Sequence, residues 1–326
     1  MKKILAIVLA MVMVLSLVGC GGSKEVGATA KDMKGSVAML LSGLITDEAF
    51  NQYTYEGMMR AAKEKGFKTA HKENVTQDEQ VEVIRQFAQN GYSIVIGQGG
   101  QFGEALSTVA AEYPNTQFIF SVGTDTYELP NISAATVSYS HAGFIGGVLA
   151  GLTTKNKKVA MIVGEFYDNH HMLEAGFKAG VSYVNPDIQT HSVATGDWAD
   201  TVKAREASLA LVAQGYDVLF PCLDAAGAGV AAAALDSKGV HVVGSVADYA
   251  KAYGAADVIT GSVVFAWENL GYLEASGILC DGKSHVVGMA DKGIEPIINA
   301  TLDADAKAIY DKALTDLAAG KINIVN

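Results

Sequence analysis

The adjacent histidines His170 and His171 are the first residues in this chain whose chemistry invites attention. Neighbouring helix positions point about 100° apart, so the pair cannot converge on a metal ion as i, i+4 histidines do. They read as solvated helix surface. Asp197 and Asp200 are spaced for an acid–base couple, but Asp200 stands where a helix N-cap belongs. The run Gly97-Gln98-Gly99-Gly100-Gln101-Phe102-Gly103 follows an apolar strand, yet a dinucleotide fingerprint needs glycine where Phe102 stands. Neither a phosphate loop nor a Gly-x-Ser-x-Gly nucleophile elbow is expected. The expectation is a protein without catalytic residues, cofactor or metal.

Binding chemistry is better represented. In parallel α/β sheets ligands bind beyond the carboxyl ends of the strands. Those ends read Ser42-Gly43, Gln98 to Phe102, Gly123-Thr124-Asp125, Gly164 to Tyr167, Gly196-Asp197-Trp198, Leu223-Asp224-Ala225, Ala247-Asp248-Tyr249 and Phe265-Ala266-Trp267. Small residues let backbone approach a ligand, while an aromatic ring or an Asp supplies a stacking face or an acceptor. Aromatic residues are 8% of the chain, yet five of these eight ends carry one, which fits a flat, hydrogen-bond-donating solute held between rings.

The elements that must position these residues alternate regularly. Apolar strands are expected at 37–41, 93–96, 118–121, 132–137, 159–163, 190–194, 218–220, 241–244 and 258–261. Helical periodicity lies between them, as in Tyr55, Met58, Met59 and Ala62. Thr76-Gln77-Asp78-Glu79 has capping-box spacing and heads a helix that turns Val81, Ile84 and Ala88 inward before stopping at Asn90-Gly91. Near-continuous apolar strands imply parallel sheets covered on both faces. Two doubly wound α/β lobes suit this pattern better than the alternative (β/α)8 barrel.

The formal charge of −11 and the pI near 5.1 exclude nucleic acid and polybasic lipid binding as partners. Met1-Lys2-Lys3 and the apolar run from Ile4 to Val18 form a secretory leader, shorter than a spanning helix. The run ends in Leu17-Val18-Gly19-Cys20, similar to a bacterial lipobox. Cleavage before Cys20 would remove two lysines and no acid, giving −13. It would leave the chain exported and tethered to the membrane by lipid on Cys20. Cys222 and Cys280 are two further thiols that export permits, without requiring, to pair.

Several segments in order resemble one family: Asp47 to Gln52 with Glu56-Gly57, Ala142 to Gly151, Glu174 to Gly180 with Val184-Asn185-Pro186, Gly196 to Asp200 with Lys203, and Gln214 to Val218. They resemble the BMP (basic membrane protein, PnrA-like) substrate-binding lipoproteins of ABC transporters. The resemblance implies a type I periplasmic-binding-protein fold, with two Rossmann-like lobes of parallel sheet joined by a hinge. On that pattern residues 1–19 are leader and 20–33 tether. Lobe 1 takes 34–139 plus about 264–285, and lobe 2 takes 140–263 plus about 286–326. It also implies capture of a purine base or purine nucleoside for delivery to an ABC permease. Phe50 and Trp198 match the rings that sandwich the base, and Asn51 matches the amide at its edge. Asp248 and Trp267 match further positions, while Asp224 stands where the chain departs from the family's glycine-rich turn; either carboxylate is a candidate acceptor for a purine N–H, with Gln98, Phe102, Asp125 and Tyr139 behind them. Ser262-Val263-Val264-Phe265 lacks the lysine with which nucleoside-binding members hold ribose. The alternatives are a receptor for another small solute, riboflavin or sugar, and an exported nucleoside-processing enzyme.

Overall fold

The computed structural model describes residues 35–46 and 50–324; the expected leader, Cys20 and the tether lie outside the described residues. The described chain opens on Ser36–Leu41 (β1), buried at every position. Alternate strand side chains face opposite ways, so Val37, Met39 and Leu41 enter one core while Ala38 and Leu40 enter another. Phe50–Lys65 (α1), Lys68–Lys72 (β2), Gln80–Gln89 (α2), Ile94–Gln98 (β3), Gly103–Ala110 (α3), Gln117–Ser121 (β4) and Ile132–Val137 (β5) follow. The strands pair in parallel in the order β2-β1-β3-β4-β5.

The pattern then repeats. Tyr139–Thr153 (α4) leads into Lys158–Val163 (β6), Asp168–Val184 (α5), Gln189–Ala194 (β7), Thr201–Ala213 (α6) and Val218–Cys222 (β8). Gly227–Leu235 (α7), His241–Val246 (β9), Tyr249–Tyr253 (α8) and Ile259–Phe265 (β10) complete it, in the order β7-β6-β8-β9-β10. The chain next returns to the first sheet. Trp267–Ala275 (α9) packs on α1, and Ser284–Val287 (β11) extends β5 in parallel. Finally Ile294–Ile298 (β12) pairs antiparallel with β10, and Ala304–Ala318 (α10) packs on α4. Two open six-stranded sheets rule out the barrel, and the chain passes between them at Val137 to Tyr139, Phe265 to Trp267 and Val287 to Ile294. Cys222 ends β8 and Cys280 follows α9 in the other lobe, and both thiols are unpaired.

Three strands lay outside the sequence expectation: β2, β11 and β12. All three are sheet edges with mixed or polar exposure, so they lack the continuous apolar run that marks an interior strand. Pro296 in β12 is tolerated because an edge strand need not donate on both sides. The Thr76 box is present, with Thr76 N–H donating to Glu79 Oε2 at 3.2 Å, and Gly91 adopts φ +78° where α2 stops. Ile84 and Ala88 are buried as expected, and Val81 is half-buried.

Helix–helix contact is made through glycine in both lobes. In α4 and α5, Cβ atoms on Gly143 and Gly147 would lie 2.0 and 2.2 Å from the carbonyl oxygens of Leu173 and Phe177. On the opposing helix, Gly176 and Gly180 stand the same way to Ser140 and Phe144. In α1 and α9, Gly57 meets the Glu268 carbonyl at 2.0 Å and Gly271 meets that of Thr54 at 2.2 Å. Gly143→Ala should therefore destabilise the protein by about 2 kcal/mol in urea unfolding, the scale of overpacking a tight core. Gly100→Ala, which enters open space, should stay within about 0.5 kcal/mol of the parent; equal midpoints for the two variants would refute backbone contact.

Candidate ligand-binding site

The carboxyl ends of both sheets carry a continuous line of aromatic rings. Phe50, first in α1, meets Trp267, first in α9, edge to face at 5.1 Å between centroids. Trp267 meets Phe265 at 5.5 Å, Phe265 meets Tyr139 at 5.0 Å, and Tyr139 meets His170 at 5.7 Å, all edge to face. His170 lies 4.8 Å from Trp198, which stacks near-parallel with Tyr167 at 6.1 Å. The line runs from the β1 end of one lobe to the β7 end of the other, through two of the three inter-lobe passages. Edge-to-face contact is the favourable geometry for such pairs.

Local hydrogen bonding fixes the two ends. Thr54 Oγ1 donates to the Phe50 carbonyl at 2.9 Å. Next to Trp198, the Asp197 carboxylate accepts from Ala199 N–H at 2.8 Å and Asp200 N–H at 3.0 Å, bonds that hold its pKa below the usual range. Asp200 then caps α6, accepting from Val202 and Lys203 N–H, as its position predicted. The ring of Trp198 lies against Gly164, where a Cβ would sit 2.4 Å from Cδ2. That atom is a ring-fusion carbon, so the glycine backs a face of the indole rather than its edge.

The expected site residues separate into groups. Phe50, Trp198, Trp267 and Tyr139 share the aromatic line. Asn51 is buried beside it, its Oδ1 accepting from Gly43 N–H at 3.4 Å. Asp224 is exposed at the end of β8. Asp248 caps α8 by accepting from Lys251 N–H, and Asp125 makes a local turn by accepting from Tyr127 N–H. Gln98 and Phe102 are wholly buried, and Asn51, Tyr139 and Trp267 are nearly so. The amide of Gln98 donates to Thr54 Oγ1 at 2.6 Å beneath α1. Phe102 enters the outer-face core, where Gly97 leaves room for it. Ser262 is also buried, its hydroxyl accepting from Tyr249 N–H.

Tyr167 and Phe265 are among the strand-end aromatics read from the sequence, whereas His170 is not. His170 is 6% exposed rather than solvated, because Tyr139 and Trp198 reach it from other elements. Burial holds its imidazole neutral, with the pKa lowered to about 4. Val122 follows β4 and Val246 ends β9, the fourth strands of the two sheet orders, and they adopt left-handed φ of 63° and 70°. A β-branched residue there costs on the order of 1–3 kcal/mol, and such strain gathers at functional sites.

The string Gly277-Ile278-Leu279-Cys280-Asp281-Gly282-Lys283-Ser284 does have phosphate-loop spacing, contrary to expectation. It runs from the end of a helix into β11, the reverse of the strand–loop–helix order that aims backbone N–H groups at phosphate. Among the described residues no group of three or more His, Cys, Asp or Glu is placed to hold a metal ion, and no helix is long and apolar enough to cross a membrane.

The family model described as ABC transporter substrate-binding protein PnrA-like matches residues 34–324. Among curated relatives, the ABC transporter nucleoside-binding protein BmpA of Lactococcus lactis is 27% identical over 238 residues, 70% of this chain and 67% of that protein. The transcriptional activator protein med of Bacillus subtilis is 26% identical over 250 residues, 76% and 75% of the two chains. Among solved structures, an ABC transporter solute-binding protein from Conexibacter woesei superposes with TM-score 0.71 at 26% identity, covering 90% of this chain and 99% of that one. A glucose-galactose binding protein from Geobacillus stearothermophilus, at TM-score 0.63 and 18% identity over 82% and 99%, shares the fold.

The state of His170 has a measurable consequence. Between about pH 4 and 6.5 the unfolded chain binds a proton at this position that the folded chain does not, so stability rises with pH across that window. His170→Phe should flatten the acid limb of a melting-temperature profile between pH 4 and 6.5. An unchanged limb would show that the imidazole is not held neutral.

Proposed function

Because the chain belongs to the Bmp family of PnrA-like ABC transporter substrate-binding proteins, we propose that it captures a purine base or purine nucleoside between its lobes and delivers it to a membrane permease. The observation that carries this reading is the aromatic line from Phe50 to Trp198, with Asn51 at one end. A heteroaromatic base stacked on aromatic rings gains about 1–3 kcal/mol. Asn51 can donate to and accept from a purine edge, while Asp224 accepts from an amino or ring N–H. Closing lobes over the solute excludes water and shapes the surface a permease reads. The nucleoside-binding name of the Lactococcus relative supports the substrate class. The absent ribose lysine favours the free base within that class. No residue is assigned a catalytic role, and export with lipid anchoring through Cys20 belongs to the same proposal.

Trp198→Ala should weaken purine binding at least tenfold in calorimetry, and an unchanged dissociation constant would sink the stacking role. Refolded protein stripped of carried-over solute should be screened by thermal shift with adenine, guanine, hypoxanthine, their nucleosides, riboflavin and sugars. Saturation at 100 times the dissociation constant adds about 2.7 kcal/mol, enough for a clear rise in midpoint. A rise with bases alone fits the missing lysine. A rise with riboflavin or sugars alone overturns the purine assignment. Cys20→Ser should shift the full-length protein from the membrane to the soluble fraction.

A further inference from the structure

One fully buried ionisable side chain has no part in the site described so far. Glu274 on α9 is 0% exposed, and neither carboxyl oxygen has a hydrogen-bond partner among the described residues. Two more buried polar atoms on the sheet that α9 covers are unpartnered: Ser121 Oγ, at the end of β4, and Gln98 Oε1, at the end of β3. Gln98 and Ser121 are register partners, so their side chains share one sheet face, and Gln98 reaches Thr54 of α1 on that face. Ser121 lies alongside the Glu274 carboxyl, short of a full hydrogen bond.

Among the described residues no cation is paired with this carboxyl. On α1, Arg60 pairs with Glu268 at 2.8 Å and Glu64 accepts from the Tyr272 hydroxyl, both on the exposed side of α9. The neighbouring strands β3, β4 and β5 present no titratable side chain. Beyond α9, the nearby groups are the Cys280 thiol and Asp281, and Asp281 is paired with His285 at 2.7 Å. If Glu274 were ionised, this cluster would hold four acceptor oxygens and one hydroxyl proton; the neutral acid adds the missing donor. A buried charge with neither partner nor solvent is the costlier state.

The cluster connects to the ligand site twice. Glu274 lies on the buried face of α9 with Trp267, Leu270 and Gly271, and Trp267 begins that helix. From Gln98 a hydrogen-bond chain runs through Thr54 Oγ1 to the Phe50 carbonyl, at 2.6 and 2.9 Å. We infer that Glu274, kept as the neutral acid, is a positioning residue for the Phe50–Trp267 wall, so that ligand affinity falls when this one proton is lost in mild alkali. The inference rests on Phe50 and Trp267 bordering the ligand, as proposed above.

Burial pushes the carboxyl up to about 8, and the Ser121 hydroxyl pulls the other way. The folded chain therefore holds a proton that the unfolded chain releases from about pH 4.5, and this group's contribution to stability falls as pH rises toward 8. Calorimetry with adenosine and adenine from pH 6.5 to 9 tests the link. The parent protein should bind about tenfold more weakly at pH 9 than at pH 7, the factor for a binding-competent fraction titrating near 8. Glu274→Gln, isosteric and neutral, should bind at pH 9 as the parent does at pH 7. Ser121→Ala should move the parent's alkaline midpoint upward. A flat parent profile, or the same alkaline loss in Glu274→Gln, overturns the inference. Should neither solute bind at pH 6.5, the purine reading fails. Ligand-free melting temperatures still decide the protonation: the parent should fall relative to Glu274→Gln between pH 6.5 and 9, and parallel curves overturn it.

Discussion

Two helices can touch backbone to backbone only where both lack side chains at the contact, and this structure depends on that constraint in each lobe. Gly143 and Gly147 set α4 against α5 so that their first turns lie side by side, which places Tyr139 against His170. Gly57 and Gly271 set α1 against α9, which places Phe50 against Trp267. A helix pair separated by ordinary side chains stands about 8–10 Å apart, and rings carried on its first residues would then lose contact. The aromatic line is thus a consequence of glycine spacing one or two turns further along each helix. Bulk added at those glycines would disturb rings it never touches.

The polar residues at the strand ends divide by what they satisfy. Asp200, Asp248 and Asp125 serve backbone N–H groups that would otherwise be orphaned at helix starts and turns. Asp197 does the same for the loop carrying Trp198. Their value is to make short, well-defined loops that present a ring at a fixed angle. The strained valines at the ends of β4 and β9 fit this picture, since unusual backbone persists where neighbouring strands over-determine it.

Much of the fold was legible because interior parallel strands are buried on both faces and read as apolar runs; β1 and β6 are examples. The edges β2, β11 and β12 were not, since half their surface meets water and their sequences resemble loops. Glycine runs such as Ala142 to Gly151 carried the resemblance to the family, yet their physical meaning, helix contact, appears only when α5 is in place. His170 shows the same limit. Its burial comes from Tyr139, 31 residues earlier, and Trp198, 28 residues later, and no local pattern encodes that meeting. Phe102 shows the reverse: it sits at a strand end in sequence, but the hole left by Gly97 draws it into the outer core.

The two unpaired thiols have a consequence for chemical durability. Burial pushes both Cys222 and Cys280 up to about 12. Only the thiolate attacks disulfides and peroxides, so at neutral pH both side chains stay in the unreactive thiol form. Each thiol also sits in a different lobe, held by strands and helices that give it no partner to reach. In an oxidising space the folded protein can therefore keep these two thiols unreacted. Unfolding removes that protection from both thiols at once, so in such a space oxidative cross-linking reports the fraction of chain that has lost its fold.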